Sequence, residues 1–444
     1  MYEISIKQVL NYLENEQFVE LQKDIDQLHP ADIVPILNDL PSEYQLAFFS
    51  LLKHETASDV LPELNDDVRE HILQNIQQNH LVKIIDEMDT DEAADIISEL
   101  EEDVSRDLLR KIDEEDSQQI KQLLKYDEES AGGLMQTEII AVQKDLKRDE
   151  LIEYIRENHD EVENIHYVFV VKEDQQLIGI LEITKLLLAR SEATAEEMME
   201  SEVISVKADV DQEEVANMFR KYDMFILPVV DNNNRLLGRI TVDDIIDVID
   251  EEASEDVYKM VGLESEDRVF THPLSSVRKR LPWLTLNLFT ALLVSSVVGI
   301  FEATIAELSF LAVLMPIVAG LGGNSGTQTL TVITRGIALG ELTISNTYRA
   351  MFKEITVGII NGIIVGSFAM IITYLLRGDI MLGMVLGIAM ICNMFIAGLV
   401  GSIIPIVMKT LKIDPALASS VIITMLTDIG GFASFLGLAT LILL

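Results

Sequence analysis

The feature that most constrains this chain is a series of long uncharged runs confined to its second half. They occupy residues 281–301, 308–334, 355–376 and 380–408, and a last stretch, 415–444, is interrupted by one charge, Asp428. A hydrocarbon core takes about 20 apolar residues per helix, so five spans are expected. Charge follows the same division. Of 74 acidic and 33 basic residues, giving a formal net charge of −41, only seven acids and six bases lie beyond residue 280. An acidic soluble half is thus joined to a nearly neutral apolar half. A nucleic-acid binder would show a basic stripe, so cations are the expected partners.

The single cysteine, Cys392, lies in an apolar run, which rules out an intramolecular disulfide and a multi-cysteine zinc site. The start, MYEISIKQVLNYLENEQ, lacks the basic and apolar regions of a secretory signal, so the acidic half is expected in the cytoplasm. Arg278, Lys279 and Arg280 precede the first span, Arg335, Arg349 and Lys353 fall between spans two and three, and Lys409 and Lys412 between four and five. The opposite face has Arg377 alone. This bias places the N-terminus inside and the C-terminus outside. Leu339 to Glu354, polar on one face, is expected along the inner surface.

Two features of the spans are costly unless used. The first is PIVAGLGGNSGTQ, Pro316 to Gln328, where proline, glycines and Asn324 interrupt an apolar run. Such residues loosen a helix and free carbonyls such as that of Gly320, which a membrane tolerates only where backbone lines protein or a cavity. Close packing through small residues is the plainer explanation. The second is Asp428 in MLTDIGG, placed close to mid-membrane. Burying it unpaired costs at least ~2.5 kcal/mol. No lysine, arginine or histidine lies within the spans to pair with it, which makes a passing cation its natural partner.

All seven histidines, His29 to His272, precede the first span, so a pore offers oxygen ligands and no imidazole. Oxygen suits hard ions such as Mg²⁺, Ca²⁺ or Mn²⁺. With one mid-span carboxylate, an ion held through its waters is the economical arrangement. A single Asp428 makes a one-sided site, whereas a two-fold homodimer places two around an axis.

The first half contains an internal repeat. LMQTEIIAV (134–142) lies on MMESEVISV (198–206) at an offset of 64, and LIGILEITKLL (177–187) on LLGRITVDDII (236–246) at 59. Each copy reads strand, helix, strand, turn, strand, helix, and the pattern resembles a tandem pair of CBS domains. In the second copy Gly238, Thr241 and Asp244 match the signature of CBS domains that bind adenosine nucleotides, where the Asp holds the ribose hydroxyls. The first copy has Glu182 and Lys185 instead. At most one ATP-type site per chain is implied, and a purely structural role for the pair stands beside it. Residues 1–130 read as helical hairpins, DIVPILNDLP, SDVLPELND and ADIISELEED, in a degenerate α-solenoid with acids outward.

The fold class is therefore multi-domain: an all-α N-terminal helical domain (1–130), an α/β tandem CBS pair (131–256), a connecting helix (257–280) and a five-helix transmembrane domain (281–444). Acids gather at the domain edges. At an effective dielectric near 20, two carboxylates about 4 Å apart repel by roughly 4 kcal/mol, and a divalent ion reverses the sign. A solvated charged surface is the bland alternative.

This arrangement, together with PIVAGLGGNSGTQ and TMLTD, closely resembles the MgtE family of bacterial magnesium channels over essentially all 444 residues. The resemblance implies a dimeric Mg²⁺ channel in the cell membrane, closed when cytosolic Mg²⁺ binds its soluble domains. It implies Asp428 as the main pore carboxylate, with Asn324 and the carbonyls of Gly320 and Thr424 binding the waters of the ion. In the sensor it implies Asp91 and Asp95 facing the CBS pair, Asp223, Asp244 and Asp247 within it, Glu252, Glu255 and Asp256 facing the connecting helix, and Asp414 at the cytoplasmic mouth. A proton- or Na⁺-coupled transporter is the main alternative, and a membrane-anchored nucleotide sensor a second. No nucleophile–base constellation, P-loop or HExxH motif is present, so an enzyme is not expected.

Overall fold

The computed structural model describes residues 4–158, 165–263, 267, 269, 271–343, 345–417 and 420–444. The chain divides into two compact units, residues 1–249 and 250–444.

The first unit opens with ten helices among the described residues, α1 (Ile6–Glu14) through α10 (Glu114–Leu123), of which α8 spans Thr90–Ser98. They start where a polar residue or proline can satisfy the first turn. Pro30 occupies a first-turn position in Pro30–Asp39, and the Asp113 carboxylate accepts from the Glu115 amide (3.0 Å) at the head of α10. Leucines and isoleucines from these helices share one continuous core with Val206, Val215, Phe219, Leu227, Val229 and Ile240 of the second repeat copy. The helical domain and that copy therefore bury their apolar faces against each other.

The repeat is a pair of three-stranded sheets. The first contains β1 (Ala141–Gln143), β2 (Tyr167–Val171) and β3 (Leu177–Glu182), and the second β4 (Val206–Lys207), β5 (Ile226–Val230) and β6 (Leu236–Thr241). In each the first pair is parallel and the second antiparallel. The register slips at Val170/Val171 in one copy and at Val229/Val230 in the other. These are equivalent places in the repeat. Crossover helices α11 (Arg148–Glu157) and α14 (Gln212–Tyr222) follow β1 and β4, α12 (Ile183–Leu188) follows β3, and a short α13 (Ala195–Met198) leads to the second copy.

After β6, α15 runs unbroken from Val242 to Met260. The segment 257–280, expected as one connecting helix, is instead the end of α15, a stretch containing Gly262 at φ +75°, and the first turns of α16 (Pro273–Ile300). Pro273 starts α16 where its missing N–H costs nothing.

The second unit contains α16, a short α17 (Glu302–Glu307), α18 (Leu311–Ala338), α19 (Thr347–Arg377), α20 (Ile380–Thr410), a 3-10 turn at Pro415–Leu417 and α21 (Ser420–Leu443). Among the described residues, α16, α19, α20 and α21 are long and apolar enough to cross a membrane. At 28 residues α18 is equally long, but its glycines and polar residues dilute its apolar character. Two expectations need correction here. The run from Pro316 to Gln328 is not a break, because α18 is continuous through it: neighbouring helices hold the turns that proline and glycine weaken. Nor does Leu339–Glu354 form a separate surface segment. Thr347–Glu354 are the first turns of α19, and Glu354 is buried, with the Thr329 hydroxyl 3.4 Å from its carboxylate. Helices α19 and α20 touch backbone to backbone: a Cβ on Gly366 would stand 2.6 Å from the Gly387 carbonyl oxygen.

Candidate functional site

In the second unit, the residues expected around an ion fall on two facing helices at helical spacing. Gly320 and Asn324 lie four apart on the exposed side of α18, and Thr424 and Asp428 four apart on α21. Residues so spaced share a helix face. The helices approach closely because α18 presents glycines to α21: a Cβ on Gly323 would lie 3.5 Å from Thr424 Cγ2, and one on Gly326 2.5 Å from Ile423 Cγ2. Asp428 Oδ1 is buried and has no hydrogen-bond partner among the described residues. An orphaned carboxylate oxygen in an apolar helix is the strongest cation signal in this unit. The Thr424 carbonyl already accepts from the Thr427 hydroxyl (3.0 Å), so its capacity for a water is partly used. Gly320 has open space where a side chain would be.

A second group of charges joins the C-terminal part of α15 to the loop before α21. Lys259 Nζ contacts Glu255 and donates to Asp414 Oδ2 at 2.7 Å, and Asp414 Oδ1 accepts from the Ala416 amide at 2.8 Å. Partial burial disfavours the Lys259 charge, yet the hydrogen bonds to Asp414 and Glu255 outweigh it and raise its pKa. Burial, reinforced by Asp414, raises Asp256. Of the acids expected to face the connecting helix or the mouth, the structure thus brings Glu255, Asp256 and Asp414 together around a lysine that sequence reasoning overlooked. Glu252 is half-buried one turn earlier on α15.

In the first unit, Asp91 on α8 is 6% exposed, and its Oδ1 has no hydrogen-bond partner among the described residues. Burial raises its pKa well above its ordinary value, with Asp244 of α15 the largest charge acting in the same direction. Asp244 is raised to about 6, mainly by burial, although its carboxylate accepts from the Thr241 hydroxyl at 2.6 Å. Glu92 reaches about 8 through burial and the charges of Asp89, Asp244, Asp59 and Glu63. Burial likewise raises Glu63, with Asp247 adding to it, and Glu138. Thr90 bonds Glu138 and Thr137 at 3.0 Å each, and Thr137 donates to Gln119 at 2.8 Å, which ties the head of α8 to the segment before β1.

Asp91 and Asp244 are therefore brought together. Asp95 and Asp247 continue the same helices on exposed turns, and Asp223 is an exposed αL residue at the end of α14, outside the group. Glu63, Glu92 and Glu138 were missed. Glu92, beside Asp91 in the first turn of α8, was within reach of sequence reading, whereas Glu138 joins only through tertiary contact. Among the described residues no three acid, histidine or cysteine groups form a closed metal cage. Of the nucleotide signature, Thr241 and Asp244 are hydrogen-bonded to each other, and Gly238 is needed for packing because a Cβ there would strike the Gln136 carbonyl oxygen.

Apolar helices long enough to cross a membrane, attached to a helical domain and a CBS pair rich in carboxylates, define a multi-pass membrane transport protein. Family profiles agree: the MgtE divalent cation transporter profile matches residues 315–438, the MgtE intracellular N domain 28–129, and the CBS domain 131–192 and 195–251. The chain is 32% identical over 439 residues to the magnesium transporter MgtE of Bacillus subtilis, covering 99% of this chain and 97% of that protein. It is also 32% identical to the MgtE of Thermus thermophilus, over 95% of each. A crystal structure of the cytosolic domain of the Mg²⁺ channel MgtE in complex with ATP superposes with TM-score 0.53 at 30% identity, covering 55% of this chain and all of that one. The chain belongs to the MgtE family of magnesium transporters. It is a transport protein and not an enzyme.

Proposed function

We propose that the chain is a homodimeric, Mg²⁺-selective channel that admits magnesium and is closed by cytosolic Mg²⁺. The observation that carries this reading is Asp428, whose buried oxygen has no hydrogen-bond partner among the described residues, in a helix facing the glycine-rich turns of α18. Two copies would set two such carboxylates about an axis, with Asn324, Gly320 and Thr424 contributing oxygens to the waters of the ion. Mg²⁺ gives up its water reluctantly, which suits a site with so few charges. With the N-terminus inside and the C-terminus outside, entry is driven by membrane potential on a doubly charged ion.

Gating follows from the raised carboxylates. Asp91, Glu92 and Asp244 are burdened by burial and mutual repulsion, and Mg²⁺ relieves both. Asp95, Asp223 and Asp247 extend the acidic surface, Glu252, Glu255 and Asp256 supply sites facing the connecting segment, and Asp414 one at the mouth. An ion that binds the closed arrangement preferentially shifts the population towards it, and the result is negative feedback. Gly238, Thr241 and Asp244, with the ATP complex of the related cytosolic domain, support ATP as a ligand of the second CBS copy. There Asp244 would offer its carboxylate to the ribose.

The test is Mg²⁺ flux into liposomes carrying the purified protein at two internal Mg²⁺ concentrations. Flux that needs Asp428, is lost in Asp428→Ala, and falls as internal Mg²⁺ rises is expected. Flux in the variant equal to wild type would refute the pore assignment, and flux driven only by a proton or Na⁺ gradient would establish the coupled transporter instead.

A further inference from the structure

We propose that Asn393 is a positioning residue for permeation, setting the rotation of the α18 turn that presents Gly320 and Asn324. The inference deepens the pore reading above and rests on it. Asn393 lies in the middle of α20 and is 0% exposed. Its Nδ2 donates to the Val318 carbonyl oxygen of α18 at 2.7 Å. The carboxamide occupies space vacated by two glycines on different helices: a Cβ on Gly322 of α18 would collide with it, and a Cβ on Gly431 of α21 would stand 2.7 Å from Nδ2. One side chain of α20 is thereby wedged against both helices that bear the candidate pore residues.

Packing alone does not account for an amide here. Asn393 Oδ1 is buried without a hydrogen-bond partner among the described residues, and leucine has the same branched heavy-atom skeleton with no polar atom to satisfy. What asparagine adds is the directional bond to Val318. That bond falls where α18 holds itself least well. Pro316 cannot donate the helical hydrogen bond to Ala312, and Gly320, Gly322, Gly323 and Gly326 follow within ten residues. Val318, Gly322 and Gly326 form the buried side of the helix, whereas Gly320 and Asn324 are exposed. With about 100° per residue, Gly320 points roughly 200° away from Val318. Anchoring Val318 therefore fixes the direction in which Gly320 and Asn324 face, and a slip by one residue would turn them aside.

The experiment measures Mg²⁺ uptake into liposomes against external Mg²⁺ for full-length wild type, Asn393→Leu and Asp428→Ala, with thermal unfolding of each. Asn393→Leu is expected to stay folded with a similar unfolding midpoint while its half-saturating Mg²⁺ rises at least about tenfold, a split a merely structural role would not give. Unchanged half-saturation and maximal flux in Asn393→Leu, beside an inactive Asp428→Ala, would overturn the positioning role and leave the pore reading intact. An active Asp428→Ala would overturn the pore reading and this inference with it. Should Asn393→Leu fail to fold, Gly322→Ala and Gly322→Ala/Asn393→Ala decide. The double variant relieves the collision and should restore folded protein without restoring half-saturation, and wild-type half-saturation in it refutes the proposal.

Discussion

Replacing Glu92 with glutamine should stabilise α8 at neutral and alkaline pH when no magnesium is present. Folding raises the Glu92 pKa from 4.5 to about 8, first through burial and then through Asp89, Asp244, Asp59 and Glu63. A carboxyl group raised in this way stabilises the fold while protonated, below its unfolded value, and the contribution is lost as pH climbs towards the folded value. At about 1.36 kcal/mol per pKa unit, some 3 kcal/mol of local stability disappears between pH 4.5 and 7, and screening at the partly exposed edge reduces this to roughly 1–3 kcal/mol. Asp244, raised to about 6, adds a smaller loss in the lower part of the same range. Amide hydrogen exchange across Thr90–Ser98 of the full-length protein measures it directly as protection factors at pH 6 and 8. Wild type should lose about ten- to a hundredfold of protection over that interval, Glu92→Gln should lose less, and millimolar Mg²⁺ should restore the wild type at pH 8. Equal protection at both pH values, or a glutamine variant less protected than wild type at pH 8, would refute the reasoning.

The remaining predictions follow from single contacts. Lys259 already bridges Glu255 and Asp414, so Lys259→Met should leave both acids to the ion and lower the internal Mg²⁺ that half-closes the flux by several-fold in the liposome assay; an unchanged or higher value would show that the lysine does not compete. Thr90→Val removes the hydroxyl that serves Glu138, Thr137 and the Thr137 amide. It should cost about 1–3 kcal/mol of local stability, read as faster exchange of the Thr137 amide. Gly366→Ala drives a methyl against the Gly387 carbonyl oxygen and should lower the thermal midpoint of the detergent-solubilised protein, by a free energy of about 1–3 kcal/mol.

How much of this was legible in the sequence depended on whether the signal was local. The CBS repeat was readable because β-branched strands, turns and crossover helices recur at nearly fixed offsets, and the structure repeats even the register slip at Val170 and Val229. The apolar runs announced the long helices. Their continuity was less accessible, because Pro316 and the following glycines carry poor helix propensity, and only the packing of α20 and α21 against α18 overrides it. Glu354 read as the end of a surface segment polar on one face, yet Gly398 of α20 lets the two helices meet at the Glu354 backbone, and the residue is buried. Acids were visible as a class, but which of them meet was not. Asp91 and Asp244 lie 153 positions apart in the chain, and Glu138 reaches them through Thr90. Asn393 carried no local signal, since a lone amide within an apolar run gains meaning only from the glycines opposite it.

The seam between α19 and α20 bears on how the protein is made. The two helices are separated by Gly378, at φ +69°, and Asp379, whose carboxylate caps the next helix at the Met381 amide (2.9 Å). So short a turn leaves no loop for α19 to wait in the bilayer apart from its successor. Gly358, Gly362 and Gly366 expose bare backbone along α19, and α20 packs against it at each of the three. The pair is suited to enter the membrane as one hairpin during synthesis, with Arg377 and Asp379 together at its tip.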